Sequence, residues 1–308
     1  TPMMQSKMPD AWHFAKMAGF EVGAVDVSNW WYRFDDPKLV NLISQAQRTN
    51  LTLQIAVSNV RQARASYGVA SSELSPNMNA QGHVEREQAS NNSPTLVNFP
   101  NVQSKPVSDY AVGLDASWEL DLWGGIEKNI EAASAMEGVA LENYRDVLVT
   151  LRADVASTYI AIRVLQITEK LTTRSIEILK QLLGLIEAQY EQGIISKSFL
   201  ETERAMYDQN TTQLPAVKMQ LVQEYARLAV LLGTDTQAIM NDLSKQLPVP
   251  RALPSVAVGI PADVLRRRPD IREAERTPAA QTALVGAKMA NLYPKLSLSG
   301  SFGYEAAE

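Results

Sequence analysis

The chain has 308 residues, is 45% apolar and carries a formal net charge of −5, so it can bury a core and has the wrong charge balance for nucleic acid as its main partner. It has no cysteine, which excludes thiol catalysis, cysteine-based zinc sites and disulfides. No apolar run in it reaches the ~18 residues of a membrane-spanning helix.

Residues 1–36 read as an extended arm. Thr1-Pro2 is not a translation start, so any signal peptide, or a lipid-bearing cysteine just before Thr1, would lie outside this sequence. The cluster Met3, Met4, Met8 and Met17 could hold soft copper or silver ions, although methionines more commonly serve as flexible packing. Trp12, Trp30 and Trp31 suggest that the arm lies along something larger. Pro37 opens one helix over 37–70, with Leu39, Leu42, Ile43, Ala46, Leu53, Ala56 and Val60 on its apolar stripe and an end near Gly68.

Two alternating segments follow. Met78, Ala80, Gly82 and Val84 face one way, and Asn77, Asn79, Gln81, His83 and Glu85 the other. From Tyr110 the pattern returns: Val112, Leu114, Ala116, Trp118, Leu120 and Leu122 oppose Ala111, Gly113, Asp115, Ser117, Glu119 and Asp121. Such length suits a tilted barrel strand with lipid on one face and water on the other. An edge strand of a soluble sandwich gives the same alternation. Tyr110 and Trp118 share the apolar face roughly 26 Å apart, about the height of an aromatic-girdled lipid band. The Asn-, Ser- and Pro-rich stretch 90–108 reads as a long loop, making 71–122 a hairpin.

From Gly125 to Gln192 there is no proline, and Tyr144, Leu148, Leu151, Val155, Tyr159 and Ile162 recur at helical spacing. A rod of about 100 Å results, which needs neighbours along its length. It breaks at Gly193, turns through 193–198, and returns with Ser196 or Ser198 as cap. Pro215 either kinks the return helix or starts a new segment. A short helix near 236–243 completes the region 123–247, and 248–260 reads as a proline-rich linker. A helix over 261–293 and a strand over 294–308 end the chain.

Shifted by 218 residues the chain matches itself without a gap: Leu53 on Ile271, Ala56 on Ala274, Gly68 on Gly286, Pro76 on Pro294 and Gly82 on Gly300. One helix-then-strand unit is used twice, and a complete second copy would extend past residue 308. No catalytic constellation is visible. His13 and His83 share no metal-ligand spacing, and the run Arg266, Arg267, Arg268 fits pairing with nearby acids better than an anionic ligand.

Four segments carry a family resemblance: WELDLWG at Trp118–Gly124, QYEQGIISKSFLETERA at Gln189–Ala205, PADVLRRRPDIREAE at Pro261–Glu275 and LYPKLSLSGSFG at Leu292–Gly303. Together they resemble the TolC-like outer-membrane efflux proteins, especially the NodT group of lipoprotein-type channels. The resemblance implies an α+β membrane protein: a homotrimer whose transmembrane β-barrel continues into a long periplasmic α-helical barrel. It implies a non-enzymatic, cofactor-free exit duct in the Gram-negative outer membrane, served by a periplasmic adaptor and an inner-membrane RND-type pump. In three copies, Glu85, Asp115, Glu119 and Asp121 would line the pore with negative rings that favour cations, unless a wide lumen simply solvates them. Gly193, Ile194, Ile195, Ser196 and Ser198 would form an adaptor-docking tip, unless the isoleucines fold back to close the hairpin. A duct for protein secretion and a soluble coiled-coil scaffold are the competing readings.

Overall fold

The computed structural model describes residues 29–88, 90, 105–251 and 265–308, together with the backbone of 20–22 and 256–258. The elements in order are β1 (Phe20–Val22), a 3-10 turn (Trp30–Phe34), α1 (Pro37–Thr49), α2 (Leu51–Ser72), β2 (Asn77–Glu87), β3 (Val107–Leu120), α3 (Gly125–Glu191), α4 (Lys197–Leu232), α5 (Thr236–Asp242), β4 (Val256–Val258), α6 (Pro269–Ala290) and β5 (Leu296–Ala307). The chain divides into two compact units. One contains 60–140 and 273–308, and the other contains the described parts of 2–59 with 141–272.

The first unit is built on an antiparallel sheet of order β2-β3-β5. Pairing runs without a bulge from Asn77↔Ser117 to Glu87↔Val107, and from Asp109↔Ala307 to Leu120↔Leu296. The helices joined to these strands, α3 after β3 and α6 before β5, keep the β3–β5 partnership. A Cβ on Gly125 would touch Ala290, one on Gly286 would touch Lys128, and one on Gly138 would strike the Arg276 guanidinium. Small residues thus let α3 and α6 approach closely along the seam that the strands began. Shifting Leu51–Ser72 by 218 residues lands on Pro269–Ala290, the bounds of α6, so the helix–strand unit does recur.

The core of the second unit gathers Leu39, Leu42 and Ile43 of α1, Leu151, Val155, Tyr159 and Ile162 of α3, and Leu228 and Leu232 of α4. Where the sequence predicts one helix over 37–70, two are found. Asn50 adopts an extended conformation, its side chain caps α2 by accepting the Leu53 N–H at 2.9 Å, and it donates to the Leu231 carbonyl at 3.0 Å. A tertiary partner therefore breaks a pattern that is continuous in sequence. The arm, read as extended, and the proline-rich linker contribute the parallel pair β1–β4. Trp12, His13 and the methionine cluster lie outside the described residues, as does most of the loop expected over 90–108. Trp31 is buried, with the Arg152 guanidinium 4.7 Å over its ring. Pro215 lies inside the single helix α4, which rules out a new segment there.

A buried polar string threads this core. Asp36 caps α1 through the N–H groups of Lys38 and Leu39, while its other oxygen accepts the Tyr159 hydroxyl at 2.8 Å. Burial holds the Tyr159 phenol above its usual pKa, so it stays a donor. The buried Arg163 packs its guanidinium on the Tyr159 ring and donates to Gln166 and to the Lys245 carbonyl. Gln166 in turn donates to the Tyr225 hydroxyl and the Leu243 carbonyl, both at 2.8 Å. Asp36→Ala removes a cap and orphans a buried hydroxyl. It is expected to lower stability by about 2 kcal/mol, read as a lower midpoint of thermal unfolding by circular dichroism.

Beyond this core, α3 and α4 form an antiparallel hairpin stapled by Asp154–Arg227 at 3.4 Å, Glu169–Lys218 at 3.9 Å and Glu187–Arg204 at 2.8 Å. Each exposed pair is worth little alone, but in sequence they fix the register of two long helices.

Candidate functional site

Two regions concentrate features that packing alone does not explain. The first is the sheet. Even-numbered residues of all three strands share one face, apolar apart from Arg86 and Ser108 at its loop end, on which Val84, Tyr110 and Ala306 align towards that end and Trp118 and Leu298 at the other. Among the described residues much of it is open: Val84 is 74%, Phe302 67% and Tyr304 72% exposed. An open apolar face of this extent marks a membrane or protein contact. The girdle residues expected at Tyr110 and Trp118 sit near its two ends, and the Trp118 indole N–H is satisfied by the Leu74 carbonyl at 3.0 Å. The sequence reading did not single out other aromatics here. Phe302 and Tyr304 meet edge to face at 5.5 Å, and Trp123 stacks on Tyr293 at 4.8 Å while donating to the Pro294 carbonyl. The alternation of β5 was the signal for the first pair; the second lies in the two elbows and left none.

Odd-numbered residues make the polar face. Glu85 is opposite Asp109, and Asp115 stands between Asn79 and Ser301. Glu119, opposite Ser297, is paired with Lys295 at 2.9 Å. Of the four expected acids, Asp121 departs from the pattern. It lies one residue past β3, and its carboxylate accepts the Glu127 N–H at 2.8 Å at the start of α3, because a helix N-terminus draws an acid to its free amides. Asp109 joins the face in its place. The sequence reading opened the strand at Tyr110, whereas pairing extends it back to Val107. Where the polar face meets the helices there is a cavity of about 570 Å³, bordered by Glu73, Glu119, Asp121, Trp123, Asn129 and Lys295. Among the described residues, no group of His, Asp and Glu has the arrangement to hold a metal ion.

The second region is the turn between α3 and α4. Gly193 has φ +72°, its N–H donates to the Tyr190 carbonyl at 2.9 Å, and the Ile194 N–H reaches back to the Gln189 carbonyl at 3.0 Å. These two bonds are a Schellman stop, which needs the left-handed residue that glycine supplies. Ser196, not Ser198, caps α4 by accepting the Phe199 N–H at 3.3 Å. Leu200 and Ile186 are buried and close the hairpin end, and Ile195 is half-buried. Ile194, by contrast, is 65% exposed, and Phe199 beside it is exposed too.

The arginine run divides. Arg268 forms a two-bond fork on Asp270 at 3.0 and 2.6 Å, which holds that carboxyl below its usual pKa. Arg272 lies 3.8 Å from the fully buried Glu142, which also accepts from Arg145 at 2.8 Å. Arg268–Asp270 is the kind of structural pair that the sequence reading favoured for the run, and Arg272 lies outside that run.

Comparison with known proteins places this geometry. The model of the family described as outer membrane efflux protein matches residues 42–234. The chain is 29% identical over 295 residues to the pyoverdine export outer membrane protein OpmQ of Pseudomonas aeruginosa, covering 95% of this chain and 61% of that protein. It is 33% identical over 276 residues to the toluene efflux pump outer membrane protein TtgI of Pseudomonas putida, covering 89% and 57%. It superposes on the outer-membrane channel OprN with a TM-score of 0.83 and 25% identity, covering 98% of this chain and 72% of that one. The chain thus spans about three-fifths of the two named relatives' length.

Proposed function

This chain belongs to the outer membrane efflux protein family, and on that premise we propose that it is a non-enzymatic exit duct, conducting small molecules from a pump and its periplasmic adaptor across the outer membrane. The observation that carries the reading is the sheet: three long strands, apolar on one face and acidic on the other, with much of the apolar face open among the described residues. A soluble scaffold would leave that apolar face in water at a cost of roughly 25 cal/mol per Å². A barrel wall places it in lipid, with the acids towards a water-filled lumen. Three copies would supply the remaining wall, and the α3–α4 hairpin would reach the adaptor with Gly193, Ile194, Ile195, Ser196 and Ser198 at its end. Relatives named for pyoverdine export and toluene efflux support small-molecule cargo over secreted protein.

Electron microscopy of detergent-solubilised particles tests the architecture, with hollow threefold tubes as the expected image. Planar-bilayer reversal potentials test the lumen. Cation preference is expected, weakened in Asp115→Asn, because Asp115 has no cationic partner among the described residues. Anion preference of the unmodified protein would refute an acid-lined pore.

A further inference from the structure

We propose that the pair Gly113–Gly303 is a crease about which the barrel wall curls, and that Gly303 must lack a side chain for copies of this chain to close into a duct. The inference rests on the duct reading above and concerns how that duct assembles. Gly113 and Gly303 are opposite one another in the β3–β5 pairing, and both belong to the odd-numbered, polar face. A sheet gains curvature from bulges, or from glycines at which two backbones approach closely. The pairing of β2, β3 and β5 contains no bulge, which leaves the glycines.

The four glycines of these strands report the direction of the curl. On the even-numbered face, a Cβ at Gly300 would meet nothing within 4 Å, and one at Gly82 would meet the Ala111 carbonyl oxygen at 3.6 Å. On the odd-numbered face, a Cβ at Gly113 would touch the Phe302 carbonyl oxygen at 3.4 Å. One at Gly303 would lie 2.8 Å from the Val112 carbonyl oxygen and 3.1 Å from the Gly113 Cα. The neighbouring backbone crowds the polar face and stands clear of the other, so the sheet is concave on its polar side. A barrel with water inside needs that sense of curl, because its inner wall is the polar one. The atoms that Gly303 approaches are backbone and cannot rotate away. Even a methyl there would push β5 off β3 and flatten the wall at the crease. Gly300, three residues earlier on the same strand, has room for that methyl.

The test is the trimer fraction of the detergent-purified protein, by size-exclusion chromatography with light scattering, together with channel current in planar bilayers. Gly300→Ala is expected to match the unmodified protein in both. Gly303→Ala is expected to lower the trimer fraction about tenfold, since the overpacked contact recurs in every copy, and Gly303→Val to lower it further. The helical circular dichroism of Gly303→Ala should be unchanged, because the core of the second unit contains no residue of β2, β3 or β5. Equal trimer fractions in Gly300→Ala and Gly303→Ala, whether high or low, would overturn the inference and leave the duct reading intact. Loss of the helical signal in Gly303→Ala would do the same. An unmodified protein that forms no trimer, or passes no current, would overturn both.

Discussion

Replacing Gly193 by aspartate is expected to abolish efflux while the protein still folds and inserts. Space is not the obstacle: a Cβ at Gly193 would meet nothing within 4 Å. The cost is the left-handed backbone at φ +72°, about 1 kcal/mol, and aspartate is among the residues that tolerate that region best. The Schellman stop and the Ser196 cap therefore survive. What changes is a negative charge planted beside the exposed Ile194 and Phe199, the apolar surface through which the hairpin would dock its adaptor. Desolvating that charge without a partner costs several kcal/mol, and affinity falls by about tenfold for each 1.4 kcal/mol. Gly193→Asn carries the same backbone penalty without the charge and should retain efflux. Drug susceptibility in a strain whose own duct is deleted reads both variants. Unchanged resistance with Gly193→Asp would remove the docking role from this turn.

Gly233→Val should lower stability strongly. Gly233 ends α4 with φ +58°, and its N–H and that of Thr234 close the last turn onto the Val230 and Ala229 carbonyls. A Cβ there would lie 2.9 Å from the Thr49 carbonyl oxygen, a backbone atom that cannot swing aside. Thr49 and Asn50 bond the Leu232 and Leu231 carbonyls at the same junction. A β-branched residue thus adds left-handed strain to a steric collision, together about 3–5 kcal/mol. Gly233→Asn, which bears a Cβ but accepts the backbone, should cost less. Thermal unfolding of the detergent-purified protein, followed by helical circular dichroism, distinguishes the two; equal midpoints would mean that the left-handed strain of the β-branched residue adds nothing to the contact with Thr49 that both variants share.

Much of this was legible in the sequence because the repeating patterns are long. Strict alternation from Tyr110 and an unbroken helical period from Gly125 outweigh local noise. Gly193 announced its turn by type and position. Other features depend on partners distant in sequence. Asn50 reads as one polar residue within a helical stripe until Leu231 supplies its acceptor. Asp121 continues the strand's polar alternation, and only the free amides of α3 show why its carboxylate turns to Glu127 instead. Asp109 was missed because a strand's first residues carry the weakest periodic signal. The choice between Ser196 and Ser198 as cap rested on one turn of backbone, finer than any pattern in residue type.

The bulge-free seam that β3 and β5 begin, and that α3 and α6 continue, limits how such a chain can change length. One residue inserted into β3 would turn every later strand side chain through half a circle, from oil to water or the reverse. One inserted early in α3 would rotate Gly138 about 100° away from the Arg276 guanidinium for which its missing Cβ makes room. Neither error can be absorbed before the hairpin turn. Growth and shrinkage are therefore confined to the loop beyond β2 and to paired, whole-heptad changes on the two arms nearest Gly193. In the duct proposed above, the hairpin could thus lengthen or shorten near Gly193 while the seam of α3 and α6 keeps its length.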